Sequence, residues 1–375
     1  MTSTFLAAAA SRSGAAALKA EERRFDLQSG VWRSFEVTTR VEIAAPSGKT
    51  RVWIPVPSVN AGWQRSLEST ISSNGSARVI SDDGDGVCMV HAEFDAVEGQ
   101  PFVEVTSRIR TQSRVQDWNV LTSAAAAESA ASLAQWTRPT ALIPTDGIVL
   151  STASEAIKGA RSDVEKAQHI FDWIVTNAYR EPTVCGCGKG DIRTMLETGN
   201  LGGKCADLNA LFVGLCRSVG LPARDVFGLR IAPSAFGYKE LGANSANLQG
   251  AQHCRAEVYL EGYGWVAMDP ADVAKVMRQE AAEWIKDPRH PLVAPVHRAL
   301  FGGWEGCWMA YNTAHDVMLP HSQGPRLSFF MYPHAETGGK RVNPYAPSDF
   351  RYQISAKEVV PPDACCLPAV SGAPP

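Results

Sequence analysis

One cysteine, one histidine and one aspartate each stand in a local sequence suited to chemistry. Cys205 lies in Gly202-Gly203-Lys204-Cys205-Ala206-Asp207, where a helix is expected to begin. His253 opens Gln252-His253-Cys254-Arg255-Ala256-Glu257-Val258-Tyr259-Leu260, a strand-like run, and Asp269 closes Gly264-Trp265-Val266-Ala267-Met268-Asp269-Pro270. A thiol nucleophile, an imidazole base and a carboxylate that orients it are the parts required for acyl transfer through a thioester.

The element carrying Cys205 must aim it. Leu208, Leu211, Phe212, Leu215 and Val219 recur at helical spacing, an amphipathic helix with one buried stripe. Cys205 precedes Leu208 by about one turn, so its sulfur points along that stripe. Gly220 and Leu221-Pro222 end the helix. A thiol at a helix N-terminus feels the positive end of the dipole and the free N–H groups, and both favour the thiolate. The same N–H groups can hold a developing oxyanion. Gly202-Gly203 leaves room for another group to approach the sulfur.

Along the strand from Gln252, His253, Arg255, Glu257 and Tyr259 share one face; Cys254, Ala256, Val258 and Leu260 share the other. The apolar set is expected to meet a core, which leaves His253 facing the helix start. The turn Glu261-Gly262-Tyr263-Gly264 returns the chain antiparallel. Pairing Leu260 with Trp265 sets Asp269 opposite Ala256, on the wrong face. A triad then requires a one-residue bulge that brings Asp269 opposite Arg255 and diagonal to His253. Taken singly, each residue has a plainer role: a buried thiol, an edge histidine and a turn-forming Asp-Pro.

In combination these segments resemble the transglutaminase-like superfamily. The resemblance rests on Gly-Gly-Lys-Cys before a Leu/Phe-rich helix and on Gly220-Leu221-Pro222-Ala223-Arg224 leading into a strand. It continues with His253 in His-x-x-x-Glu-Val-Tyr and with Gly264-Trp265-Val266 before Asp269-Pro270. It spans Gly202 to Asp269, a fraction of the chain. It implies a papain-like core with Cys205 as nucleophile, His253 as base and acid, and Asp269 as orienter. Nothing resembles the calcium sites of animal transglutaminases, and zinc lacks a four-ligand set, so no metal or other cofactor is expected. The family often carries an aromatic residue two positions after the histidine; here Arg255 stands there. Arg255, Trp265 and Asn200 are the candidate substrate contacts. Arg255 could bind a carboxylate or pair with Glu257 or Asp269, and Asn200, just upstream of Cys205, fits an oxyanion donor or a turn.

The implied function is thiol-dependent acyl transfer or hydrolysis on peptide or isopeptide amide bonds. A non-catalytic peptide- or cell-wall-binding module on the same fold is the alternative. A third reading is thiol redox through Cys185 and Cys187, which are spaced C-x-C. The nine cysteines are odd in number and irregularly spaced, unlike a disulfide framework. The partner expected is a protein or peptide substrate; the sequence leaves oligomeric state open.

Composition sets the frame. The chain has 375 residues, 45% hydrophobic and 20% charged, with a formal charge of −3. That is ordinary for a globular protein. No Lys/Arg cluster suggests nucleic acid, and no apolar run of about 18 residues suggests a membrane span. We expect an α+β papain-like core preceded by an all-β sandwich-like domain. Residues 1–29 read as an Ala-rich leader or disordered tail, 30–118 as the sandwich, and 119–150 as a connector. Residues 151–325 read as the catalytic domain, with a helix from Ser162 to Ala178, and 326–375 as a C-terminal extension with a disordered tail. His315-Asp316, after Trp304, Trp308 and Tyr311, is expected to pack beside the catalytic domain, with a wall of the substrate cleft as the alternative. The leader lacks a basic segment before Phe5; if it works the protein is periplasmic or exported, otherwise cytoplasmic.

Overall fold

The computed structural model describes residues 23–82, 86–95, 99–121, 128–346, 348 and 350–360. Most of the Ala-rich leader and the tail with Cys365-Cys366 lie outside the described residues. The alternating runs near the N-terminus form strands, as their period requires. They are β1 (Arg33–Ile43), β2 (Thr50–Pro55), β3 (Gln64–Ser73), β4 (Ser76–Asp82), β5 (Val87–Phe94) and β6 (Phe102–Thr111). Three late strands join them: β17 (His334–Thr337), β18 (Lys340–Val342) and β19 (Phe350–Val359).

These strands make two sheets, ordered β19-β1-β6-β3 and β18-β17-β2-β5-β4. Phe35, Val37, Val41, Val103 and Val105 of the first share a buried cluster with Val52, Ile54, Val90 and Phe94 of the second. The sandwich is thus built from both ends of the chain, with β1 antiparallel to β19 from Ser34↔Val359 to Ile43↔Phe350. Local pattern identifies a strand but not the sheet it joins, which is why 326–375 reads as an extension in sequence.

The helices follow the short strand Arg114–Val115: α1 (Ala130–Gln135), α2 (Gly147–Ala156), α3 (Asp163–Asn177), α4 (Ile192–Thr198), α5 (Cys205–Ser218), α6 (Pro270–Lys275) and α7 (Ala294–Leu300). The stretch 119–150 therefore carries α1 and the start of α2. Ser162 caps α3 by accepting from the Glu165 N–H at 3.2 Å. The central sheet consists of β10 (Ala223–Arg230), β11 (Gln252–Leu260), β12 (Gly264–Met268) and β14 (Trp308–Asn312), ordered β12-β11-β10-β14 and antiparallel throughout. Short pairs complete the set: β7 (Arg114–Val115) with β13 (Gly303–Trp304), β15 (His315–Val317) with β16 (Leu327–Phe329), and β8 (Tyr179–Arg180) parallel to β9 (Gly202–Gly203).

Helix α5 lies on this sheet, and its residues Cys205 to Arg217 are all buried. The other face of the sheet, with Val226, Ala267, Trp308 and Ala310, meets Trp63 and Trp304. Polar residues on that face need partners. Glu257 is 2% exposed and ion-paired with both Arg114 and Arg224. Burial pushes its carboxyl up, and the two guanidiniums outweigh this and hold it below the usual range. Replacing Glu257 by alanine strands two cations at the junction of β7 and β10. We expect a loss of about 3 kcal/mol, read as a lower urea midpoint with an unchanged slope. An unchanged midpoint would mean that water already screens the site.

Candidate active site

Cys205 is the first helical residue of α5, and the chain upstream is fitted tightly against that helix end. The Ala206 N–H donates to Cys187 O at 2.9 Å. Asp207, one turn in, accepts from the N–H groups of Lys189, Gly190 and Lys204, each at 2.9 Å. This carboxylate pins the loop after Cys187 to the helix. Gly188 has a φ of +96°, and a Cβ there would lie 1.8 Å from Asp207 Oδ2, so only glycine fits. The pair Gly202-Gly203 admits Tyr179 and Asp207: Cβ atoms there would lie 2.5 Å from the Tyr179 ring and from Asp207 Cβ. The close approach expected toward the sulfur is instead an approach to the backbone beside it.

His253 and Asp269 meet without the bulge that pairing Leu260 with Trp265 would require. The register of β11 with β12 runs unbroken from Leu260↔Gly264 to Ala256↔Met268. The turn is Glu261-Gly262-Tyr263, one residue shorter than assumed, and Gly262 and Gly264 adopt φ values of +80° and +74° to make it. That shift sets Asp269 beside Arg255 and on the His253 face. Asp269 is also the N-cap of α6, with Pro270 at the first helical position. Its Oδ1 accepts from the Asp272 N–H at 3.1 Å and from Asn209 Nδ2 at 3.3 Å. Its Oδ2 lies 2.8 Å from His253 Nε2. Trp308 Nε1 fixes the strand by donating to His253 O at 2.8 Å.

The charges around this pair are dense and buried. Asp272 Oδ2 is 3.4 Å from the same His253 Nε2, and Asp272 is ion-paired with Arg230. Burial and Arg230 push the imidazolium toward neutrality; Asp272 and Asp269 outweigh them and raise its pKa to about 9. Asp269 is raised by burial and by the neighbouring Asp272 charge, against the pull of His253. Asp272 is held well below its ordinary value because Arg230 and His253 outweigh its burial. His253, Asp269 and Asp272 are close enough together to ligate a cation, yet the Arg230 and Arg255 guanidiniums already supply positive charge to both carboxylates.

Cys205 has its own partners. The neighbouring thiols of Cys187 and Cys254 lower its pKa most; burial opposes them, and His253 adds to the lowering. The Cys187 S–H itself donates to Gln252 O at 3.2 Å. Cys187 and Cys254 are pushed well above their ordinary values and so remain protonated donors. The C-x-C pair therefore splits: Cys187 is buried beside Cys205 while Cys185 is exposed, and both are free. A cleft of about 650 Å³ opens at Cys205 and His253, lined also by Gln252, Tyr332 and Tyr352.

The candidate substrate contacts fare differently. Arg255 is 2% exposed, lies 3.4 Å from Asp269 Oδ2, donates to Glu305 O at 3.1 Å and stacks on Trp308. It belongs to the buried charge network and does not line the cleft. Trp265 stacks under Arg224 at 3.9 Å and donates to Glu128 at 3.2 Å, also outside the cleft. Asn200 is exposed and accepts from the Gly202 N–H at 3.2 Å, a turn role. Sequence reasoning missed Asp272, Arg230, Asn209, Cys187 and Cys254. Two carried a signal: Asp272 stands at the capping-box position after Asp269, and Asn209 lies one turn past Cys205.

Residues 151–270 match the core of the transglutaminase-like superfamily. An uncharacterized protein of Haemophilus influenzae is 33% identical over 345 residues, covering 87% of this chain and 91% of that protein. The crystal structure of a candidate cysteine protease from Cytophaga hutchinsonii aligns with a TM-score of 0.54 at 15% identity, covering 89% of this chain and 93% of that one. At that identity the likeness speaks for the fold alone. With its α+β core, its sheet-rich N-terminal region and these matches, the chain belongs to the transglutaminase-like superfamily.

Proposed function

We propose that the protein is a cysteine hydrolase or acyltransferase acting on peptide or isopeptide amide bonds. The observation that carries this reading is the approach of His253 to Asp269 at 2.8 Å beside the N-terminal thiol of α5. In the resting pair Cys205 is a thiolate and His253 an imidazolium. The sulfur attacks the amide carbonyl carbon, and the carbonyl π electrons move to oxygen. The first-turn N–H groups of Ala206 and Asp207 are already taken by Cys187 O and Lys204 O. The Cys205 N–H is therefore the one available to the oxyanion. As the tetrahedral adduct collapses, the C–N bond breaks and His253 gives its proton to the leaving amine. His253, now neutral, takes a proton from water or an acceptor amine as that nucleophile attacks the thioester, and the thiolate leaves.

Iodoacetamide labelling of Cys205 across pH, followed by peptide mass spectrometry, tests the pair. The wild type should label well below pH 8.5, the ordinary thiol value. His253→Ala should move the labelling curve toward higher pH and slow it at neutral pH. One observation favours the binding-module reading: Cys205 is only 4% exposed. An inert Cys205, or labelling indifferent to His253, would decide for that reading.

A further inference from the structure

The cleft at Cys205 is lined by five cations, Arg180, Lys204, Arg230, Lys239 and Lys275, against two carboxylates, Glu240 and Asp272. The carboxylates are engaged. Asp272 pairs with Arg230, and Glu240 pairs with Lys275 at 3.3 Å, with Lys239 at 4.0 Å. Arg180 and Lys204 have no carboxylate in ion-pair contact among the described residues. Arg180 donates instead to the neutral Gln279 Oε1 at 3.1 Å.

The fold places both next to the sulfur. In the parallel pair of β8 with β9, Arg180 stands opposite Gly203, and Lys204 is the next residue, immediately before Cys205. The register is held by the Glu181 N–H donating to Gly203 O at 2.8 Å. The two cations feel each other: burial first, and Arg180 second, lower the Lys204 pKa, while the Cys187 and Cys205 thiols pull it up. Holding like charges together with no carboxylate in contact, and only the neighbouring Cys205 sulfur to offset them, costs energy in the free protein. A bound anion would remove that cost. A third group points the same way: Gln252 is 5% exposed and lines the cleft beside the Tyr352 hydroxyl, and its amide makes no hydrogen bond of ordinary geometry to a described residue. An amide can donate to a carboxylate as the guanidinium does.

We propose that the cleft selects acyl donors bearing a carboxylate close to the scissile amide, with Arg180 and Lys204 binding that carboxylate and Gln252 donating to it. This rests on the reading of Cys205 as the nucleophile. An acidic peptide, or one with a free C-terminal carboxylate beside the cleaved bond, is the class of substrate that fits. Neutral and amidated peptides leave the two cations without a partner.

Two alkylating agents separate the charge preference from the nucleophile. Iodoacetate carries a carboxylate and iodoacetamide its neutral amide; both alkylate a thiolate by the same displacement of iodide. The ratio of their rates at Cys205 is compared with that ratio for 2-mercaptoethanol. We expect the ratio at Cys205 to be higher by about tenfold at low salt, and to fall toward the reference between about 0.01 M and about 1 M ionic strength. Arg180→Gln and Lys204→Gln should each lower it severalfold while iodoacetamide labelling persists. Equal ratios for Cys205 and 2-mercaptoethanol, with brisk iodoacetamide labelling, would overturn the carboxylate preference and leave the nucleophile standing. A Cys205 inert to both agents would overturn the nucleophile, and the preference with it.

Discussion

Replacing Cys205 by alanine is expected to remove amide turnover altogether, by about a million-fold in kcat if Cys205, His253 and Asp269 act as a unit. The other buried thiols among the described residues are poorly placed to take over. Cys187 and Cys254 are held in the protonated form by the Cys205 sulfur itself and by burial. Cys216 is buried and raised by that burial alone, and Cys307 is pushed up to about 12 chiefly by burial. The substitution should leave the fold intact, because the helix start is held by backbone groups and by Asp207 rather than by the sulfur. The stability change should stay within about 1 kcal/mol. The measurement is turnover of peptide amides that the wild type cleaves, alongside thermal unfolding of the variant. Residual turnover above a hundredth of wild type, in a sample free of wild-type contamination, would remove Cys205 from the mechanism.

The reasons why some of this site was legible in the sequence, and some was not, are physical. Cys205 could be placed because a helix start leaves local marks: Gly-Gly ahead, a period near 3.6 behind, Gly220 and Pro222 at the end. The β11–β12 hairpin was visible too, but its register was off by one, because the number of residues in a turn is not written in their types when glycines stand at both Gly262 and Gly264. A single step of register moves every side chain to the opposite face. Asp269 was on the right face from the start, and the bulge was needed only by the wrong count. Arg255 shows the other limit. An arginine beside a candidate catalytic histidine reads as a ligand for substrate, yet Trp304 and Trp308 enclose it, and they come from about fifty residues downstream. Still longer separations in sequence hide β19 from β1 and Cys187 from Cys254. What sequence reads well is the element. What it reads poorly is which distant element closes over it.

Asp269→Asn should lower kcat by about 10²-fold to 10⁴-fold, well short of the loss at Cys205, and should move the alkaline edge of activity downward. An amide cannot satisfy this position in either orientation. With its oxygen toward His253 Nε2, its NH₂ group opposes the donors at Asp272 N and Asn209 Nδ2; turned over, its NH₂ group opposes the imidazole N–H. The imidazolium also loses one of the two carboxylates that raise its pKa to about 9. The proposed mechanism needs His253 protonated and Cys205 ionised, so turnover is expected on a plateau below about pH 9 and to fall above it as His253 loses its proton. Weakening the charge that holds the proton lowers that upper edge toward the ordinary imidazole value of about 6.5. The edge should stop short of that value because Asp272 remains 3.4 Å from the same nitrogen. That second carboxylate argues for a loss nearer the smaller figure, and it makes the two residues interdependent: adding Asp272→Asn should cost more in the Asp269→Asn background than the rate change it causes alone. A pH–rate profile in the two single variants and the double variant reads all three effects together. An unmoved alkaline edge, or a loss equal to that of Cys205→Ala, would count against the orienting role proposed for Asp269.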